Sequence, residues 1–327
     1  MTPSRRDCCW STPDLPWAAL TKPLIIITEH LDDVACNWLS QRADVHRMGV
    51  DDTAFAEHLA RAAGVVVRTY TKVDEPFLDG APNLRVVGRA GVGLDNIDVE
   101  VCEARGIAVV HTPDANTQAV VEYVVSILGA AMRPLHPLSN GVDVDTWDRL
   151  RTEAMAARQL SQMTLGIVGL GRIGSRVAKV AAAIGMSVQY CDLRDIAVDA
   201  RHGADPVDLE TLLRGSDVVS VHVDGRATNR HLLGQDALVQ LPEHAMLINT
   251  ARGFVIDHTA LAAVLGHRPA MRAVLDVHDP EPVPPGHALL NLPNAVLLPH
   301  AASRTHAAQA AMSWVVRDVA RVLGLMH

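Results

Sequence analysis

The stretch Thr164-Leu-Gly-Ile-Val-Gly-Leu-Gly-Arg-Ile-Gly174 constrains this chain more than any other. Leu165 to Val168 is an apolar run of the kind that forms a buried parallel strand, and Ser175 to Ile184 has helical spacing. Between them Gly169, Gly171 and Gly174 spell G-x-G-x-x-G. The first glycine permits a tight turn, and the second lets a diphosphate approach the backbone. The third lets helix and strand pack closely, and the N-terminus of the new helix faces the anion. The glycines alone are weak evidence. Here they have a strand, a helix and an acidic residue, Asp192, which follows the next apolar run, Met186 to Cys191. That context favours a dinucleotide site over a glycine turn in a purely structural unit. Asp192 is placed to accept the ribose hydroxyls and repel a 2′-phosphate, so NAD is expected rather than NADP. Arg194, two residues on, complicates that preference.

The length, 327 residues, is enough for about two domains. Apolar residues make up 49% and aromatics only 3%, so the cores must be built from Ala, Val, Leu and Ile. A formal charge of −8 and the lack of a dense Lys/Arg block argue against a nucleic-acid surface. Five cysteines, an odd count without C-x-x-C, suggest neither a disulfide framework nor a metal site. Adjacent Cys8 and Cys9 read as incidental thiols. The N-terminal stretch carries Arg5 and Arg6 but no apolar core of a secretory signal. The richest helix, Val120 to Met132, is broken by Glu122 and is too short for a bilayer. A reducing cytoplasm without a membrane partner is the expectation.

Taken in order, Leu24–Ile27, Val65–Val67, Arg85–Val87 and Ile107–Val110 read as strands. Helices are expected over Leu31–Leu39, from Asp51 or Asp52 to Ala63, and over Ile97–Ala104. Asn116 opens a long apolar helix, followed by some thirty irregular residues that read as a connector with a docking helix. A second unit starts at Thr164, with later strands at Asp217–Val221, Ala245–Ile248, Ala273–Leu275 and Ala295–Leu298. Helices are expected near Asp208–Leu213 and His258–Leu265, and Ala301 to Leu325 reads as one closing helix. The alternation implies an α/β fold with parallel, doubly wound sheets.

Three polar residues follow late strands of the second unit: Arg252, Glu281 and His300. In an open parallel sheet, ligands sit beyond the carboxyl ends of the strands, so these ends can converge beside a cofactor on Gly169–Gly174. An arginine can hold a carboxylate bidentately. A histidine can exchange a hydroxyl proton, and a carboxylate beside an imidazole favours its charged form. Such a trio suits hydride transfer to a carbonyl acid. Singly, each residue has a plainer use as a loop, turn or surface group.

At this point the sequence resembles the D-isomer-specific 2-hydroxyacid dehydrogenases. The resemblance rests on GRAGVGLDNID (Gly88 to Asp98), HTPDANTQAVVEY (His111 to Tyr123), TLGIVGLGRIG (Thr164 to Gly174), LINTARGFVID (Leu247 to Asp257), LDVHDPEP (Leu275 to Pro282) and LPH (Leu298 to His300). It implies two Rossmann-like or flavodoxin-like parallel-sheet domains with the active site in the cleft between them. The substrate domain would comprise 1–115 plus 302–327, and the NAD-binding domain 116–301. It implies a homodimer with the helix after Asn116 at its interface. By the same resemblance Arg252 binds substrate, His300 is the acid/base and Glu281 its paired acid. Asp192 contacts the adenosine ribose, Arg172 and Ile173 the diphosphate, and Asp276 the nicotinamide amide. Val223 and Thr250 line the cofactor, and the amides at Val92 and Gly93 approach the substrate carboxylate.

Arg68 and Arg89 end first-domain strands and match arginines near the substrate in phosphoglycerate dehydrogenases. They suit a second anionic group on a small 2-oxo or 2-hydroxy acid. The plainer expectation is that Arg89 pairs with Asp95 or Asp98 and that Arg68 faces solvent. Two places depart from the pattern. His222-Val-Asp-Gly-Arg-Ala-Thr-Asn229 stands where relatives usually have H-x-P-L-T-x-x-T, which adds Asp224 and Arg226. His278 and Asp279 stand where relatives tend to have Phe and Glu, and His278 is expected at the surface. A non-catalytic, NAD-sensing dimeric interaction protein of corepressor type is the competing function.

Overall fold

A computed structural model describes residues 22–133 and 135–326. Cys8 and Cys9 lie outside the described residues. The first sheet contains β1 (Leu24–Ile27), β2 (Asp44–Arg47), β3 (Gly64–Val67), β4 (Val86–Arg89) and β5 (Ala108–His111). All pairs are parallel, in the order β2-β1-β3-β4-β5. That is the 2-1-3-4-5 order of flavodoxin-like sheets. Alternate residues of each strand serve opposite cores. Ile26, Val65, Val67 and Val87 pack with Phe55, Leu59 and Cys102 on one face. Ile25, Ile27, Val66 and Val86 pack with Leu39, Val315, Val316 and Val319 on the other. Each such burial is worth about 1.5–3 kcal/mol.

The second sheet holds β6 (Thr164–Val168), β7 (Ser187–Cys191), β8 (Asp205–Pro206) and β9 (Val218–Val221). It continues with β10 (Met246–Asn249), β11 (Arg272–Leu275) and β12 (Ala295–Leu297). The order β12-β11-β10-β9-β6-β7-β8 is again all parallel. The order of strands reverses between β6 and β9, and the glycine turn leaves β6 at that switch point. Both faces are covered, as an all-parallel sheet requires.

Several expectations need correction. The apolar pattern does not predict β2: Asp-Val-His-Arg is a half-exposed edge strand with no apolar run. The helix expected from Asp51 begins at Phe55, because the Asp52 carboxylate accepts from the Ala54 amide and holds a turn there. The glycine-turn helix begins at Arg172, three residues before Ser175. The closing segment is two helices, His306–Ser313 and Val315–Val322, broken at Trp314. Ala308 and Met312 of the first pack on Ala119, while the second lies on β4 and β5. The two halves therefore serve different neighbours. The long helix Thr117–Met132 packs on the helix Arg172–Ala183. Within the connector, Val144–Glu153 is a helix that buries none of its residues. No helix among the described residues is long and apolar enough to cross a membrane.

Candidate active site

The cofactor turn is built as its glycines predict. Gly169 has φ +95°, and a Cβ on it would lie 2.9 Å from the His222 carbonyl oxygen, with the Val223 amide next to it. A Cβ on Gly174 would fall 2.2 Å from the Gly169 carbonyl oxygen, so the helix can close on the turn only without a side chain there. Gly171 caps the helix, and the space its Cβ would occupy is open. No side chain caps the first amides, which leaves the helix start to an anion. At its first position Arg172 makes a 2.7 Å ion pair with Asp114, and Ile173 is partly buried in the core behind. Thr250, at the end of β10, has a buried hydroxyl with no partner. An open glycine cradle, free helix amides and an orphaned hydroxyl at the strand ends fit a dinucleotide.

Asp192 stands at the end of β7 with its carboxylate already occupied. Oδ2 accepts from the Leu170 amide at 2.8 Å and Oδ1 from the Arg194 amide at 2.9 Å. The Arg194 guanidinium adds two bonds of 3.0 Å, one to each oxygen. Burial alone would raise this carboxyl, but the Arg194 contacts and the amides outweigh it and hold it below the ordinary range. Asp224 and Arg226, the added charges of the altered loop, pair with each other.

Asp276 follows directly on β11. It is fully buried, and its oxygens accept from the Ala301 and Ala302 amides at 2.8 Å each. Burial pushes its carboxyl up, partly offset by those amides. In this structure it pins the turn that follows His300.

The trio from the late strands does converge. The neighbouring strands β10, β11 and β12 deliver Arg252, Glu281 and His300 in turn. His300 adopts φ +52°, and its Nδ1 lies 2.8 Å from Glu281 Oε2. Glu281 Oε1 accepts from the His278 amide at 2.8 Å. Burial would raise Glu281, but the bonds from His300 and the His278 amide prevail and hold it below the usual carboxylate range. Arg252 sits in a turn clamped by Asn249, whose side chain donates to Arg252 O and accepts from the Ala251 amide, both at 2.9 Å. Its guanidinium reaches across to Asp95 of the first unit. Asn249 and Asp95 contact Arg252 in ways that the strand-end pattern does not reveal. His278 is buried, not at the surface: its ring Nε2 is 2.7 Å from the Leu298 carbonyl. The carbonyl takes up one ring nitrogen, and the other, Nδ1, is buried without a partner.

On the first unit, the Glu29 carboxylate accepts the amides of Arg68, Thr69, Tyr70 and Thr71 at 3.0–3.1 Å and shapes the loop after β3. Arg68 donates to the His30 carbonyl at 3.0 Å and to the Gln309 side chain, so it is anchored rather than free in solvent. Arg89, the last residue of β4, behaves differently. Asp95 is taken by Arg252, and Asp98 caps the helix Val99–Ala104. The expected pairing of Arg89 with either is therefore absent. Its Nε is buried without a partner, and no ion pair holds its guanidinium among the described residues. Burial, then the nearby Arg252 charge, push it down to about 10. Between Arg89 and Asp95 the Val92 carbonyl receives His111 Nδ1 at 2.9 Å, which orients the Val92–Gly93 turn.

Comparison with known proteins agrees with this geometry. Residues 125–302 match the family described as D-isomer specific 2-hydroxyacid dehydrogenase, NAD binding domain. The chain is 35% identical to a glyoxylate reductase of Aeropyrum pernix, over 91% of this chain and 92% of that one. It is 36% identical to an (S)-sulfolactate dehydrogenase of Chromohalobacter salexigens, over 92% and 98%. The structure of a D-lactate dehydrogenase from Aquifex aeolicus, complexed with NAD and lactic acid, superposes with a TM-score of 0.78 at 26% identity. That superposition covers 92% of this chain and 96% of the other. With the strand-end trio and the dinucleotide turn in place, the chain belongs to the D-isomer-specific 2-hydroxyacid dehydrogenase family, NAD-dependent oxidoreductases that interconvert 2-oxo and 2-hydroxy acids.

Proposed function

We propose that Arg252, Glu281 and His300 form the catalytic set, and that the substrate is a small 2-oxo acid bearing a second anionic group. The observation that carries the first part is the 2.8 Å bond between His300 Nδ1 and Glu281, beside Arg252. Arg252 and the Val92–Gly93 amides hold the substrate carboxylate, and the Arg252 cation polarises the neighbouring carbonyl. When bound, the nicotinamide supplies the hydride that reaches C2. His300 delivers a proton to the substrate oxygen as negative charge develops there. Glu281 stays ionised, fixes the ring through Nδ1 and stabilises its protonated form. The oxidising direction reverses each transfer.

Arg89 carries the second part. A largely buried guanidinium that no ion pair holds among the described residues is costly; the fields of Asp95 and Glu29 offset only part of that, and a ligand anion would relieve it. Arg68, anchored by Gln309, stands within its field. A phosphate, phosphonate or sulfonate on the third carbon of the acid fits, and the sulfolactate-oxidising relative makes a sulfonate a reasonable member of the set. The substrate unit is 1–115 with 302–327, since the helix Val315–Val322 packs on β4 and β5. The NAD-binding unit is 116–301. We assign a homodimer because Val144–Glu153 buries nothing by itself while Val144 and Trp147 are exposed. The apolar groove between Thr117–Met132 and Arg172–Ala183 adjoins it in sequence. The free thiols Cys36, Cys102 and Cys191 suit a reducing cytoplasm.

The test is NADH oxidation with glyoxylate, hydroxypyruvate, pyruvate, phosphohydroxypyruvate, phosphonopyruvate and sulfopyruvate. Higher kcat/KM for a dianionic acid than for glyoxylate is expected. Turnover of glyoxylate alone would remove the second anion, and turnover of none would overturn the catalytic assignment.

A further inference from the structure

The one ion pair joining the catalytic arginine to the opposite sheet is Arg252 with Asp95, 157 residues apart in sequence. A single carboxylate oxygen, Asp95 Oδ2, accepts from Arg252 Nε at 2.9 Å and Nη2 at 2.8 Å. The remaining nitrogen, Nη1, donates to the Ala251 carbonyl at 2.6 Å. The pair sets the guanidinium down on the Val92–Gly93 turn. A Cβ built on Gly93 would lie 1.8 Å from Nη2, so the fork lies directly against that backbone. Asp95 is itself held from the far side, because a Cβ on Gly225 would fall 1.6 Å from its Oδ1. Gly225 belongs to the altered loop after β9, between Asp224 and Arg226. The carboxylate is thus clasped between the Arg252 fork and the Gly225 backbone, and each of these belongs to the second unit.

We infer that Asp95 is a positioning residue: it docks Arg252 onto the Val92–Gly93 turn and so assembles the substrate-carboxylate site from both units. This rests on the assignment of Arg252 as the carboxylate-binding residue. The chemistry favours it over a generic surface pair. A charge-assisted bond to two guanidinium nitrogens fixes the plane of the fork as well as its position. Without it, a flexible arginine on one sheet would have to find amides on the other, and a misplacement of about 1 Å can cost about 100-fold in rate. The pair also ties the two units to each other at a point outside the apolar cores. Glycine at 225 is then a requirement of the latch, since any side chain there displaces the acid.

The test uses the full-length enzyme saturated with NADH. Oxalate serves as a non-reacting carboxylate ligand, read by its effect on NADH fluorescence, and hydroxypyruvate serves for kinetics. Asp95→Asn is expected to weaken oxalate by about 10-fold or more and to raise KM more than it lowers kcat, with NADH affinity unchanged. Gly225→Ala, which keeps the charge but pushes it aside, should move both quantities in the same direction. In an Arg252→Gln background, Asp95→Asn should cost little further, because the two act through one interaction. Additive losses, or tighter oxalate binding by Asp95→Asn, would overturn the inference. If Arg252→Gln alone leaves oxalate affinity unchanged, the assignment of Arg252 fails instead, and the two failures are separable.

Discussion

Replacing Arg89 by methionine should stabilise the free protein while disabling it for dianionic substrates. Arg89 is held at about 10 by burial and by the Arg252 cation. Relative to an ordinary arginine, that lowering corresponds to about 3 kcal/mol. The sign follows from the cation. Below about pH 10 the folded state must keep a charge that it disfavours relative to the unfolded chain, so the penalty is fully present at neutral pH. Methionine retains much of the stem's packing and carries no charge. The expected gain is up to about 3 kcal/mol, or a rise of roughly 5 °C in Tm for a chain of this size. Binding reverses the balance. A charge-assisted contact to phosphate or sulfonate is worth about 1.5–3 kcal/mol, so kcat/KM for phosphohydroxypyruvate or sulfopyruvate should fall by about 10- to 150-fold. Glyoxylate, which has no second anion, should lose little. Thermal melts at pH 7.5 and parallel kinetics on the three acids test both halves. A lower Tm, or equal losses on glyoxylate and on the dianionic acids, would refute the reasoning.

Glu281 lies below the ordinary carboxylate range in the folded protein. Its contribution to stability is therefore complete above about pH 4.3 and is lost as pH falls through its depressed native value. Urea titrations between pH 2.5 and 6 should show that loss in the wild type and a flatter acid limb in Glu281→Gln. Arg194→Ala should expose the Asp192 carboxylate that Arg194 now neutralises, and fluorescence titration should show NADPH weakened relative to NADH. Equal effects on both cofactors would show that Arg194 does not face the 2′ position. Gly174→Ala puts a methyl 2.2 Å from the Gly169 carbonyl oxygen and must push helix and turn apart. A stability loss of about 1–3 kcal/mol with weaker NADH binding is expected, measured by denaturation and titration.

The parts legible in the sequence are those encoded by local pattern. Apolar β6, its three glycines and Asp192 after β7 identified the dinucleotide turn because each has a local physical requirement. The convergence of Arg252, Glu281 and His300 is legible because parallel sheets bring strand ends together. What stayed hidden depends on contacts between distant residues. Asp95 looked available to Arg89, yet Arg252 takes it from the other sheet. Asp276 gave no sign that both its oxygens serve the amides after His300. The polarity of His278 points to the surface, yet it is buried, with Nε2 on the Leu298 carbonyl and Nδ1 left without a partner. β2 lacked an apolar run because an edge strand does not need one. The break at Trp314 arises because successive halves of one apolar segment pack on different elements.

The central claim is that His300, oriented by Glu281, moves the proton during hydride exchange. Single-turnover oxidation of bound NADH by the preferred 2-oxo acid, in wild type and His300→Ala, tests it most directly. The account predicts a chemical step slowed by about 100- to 10,000-fold with NADH affinity unchanged. A near-normal rate in His300→Ala would contradict it.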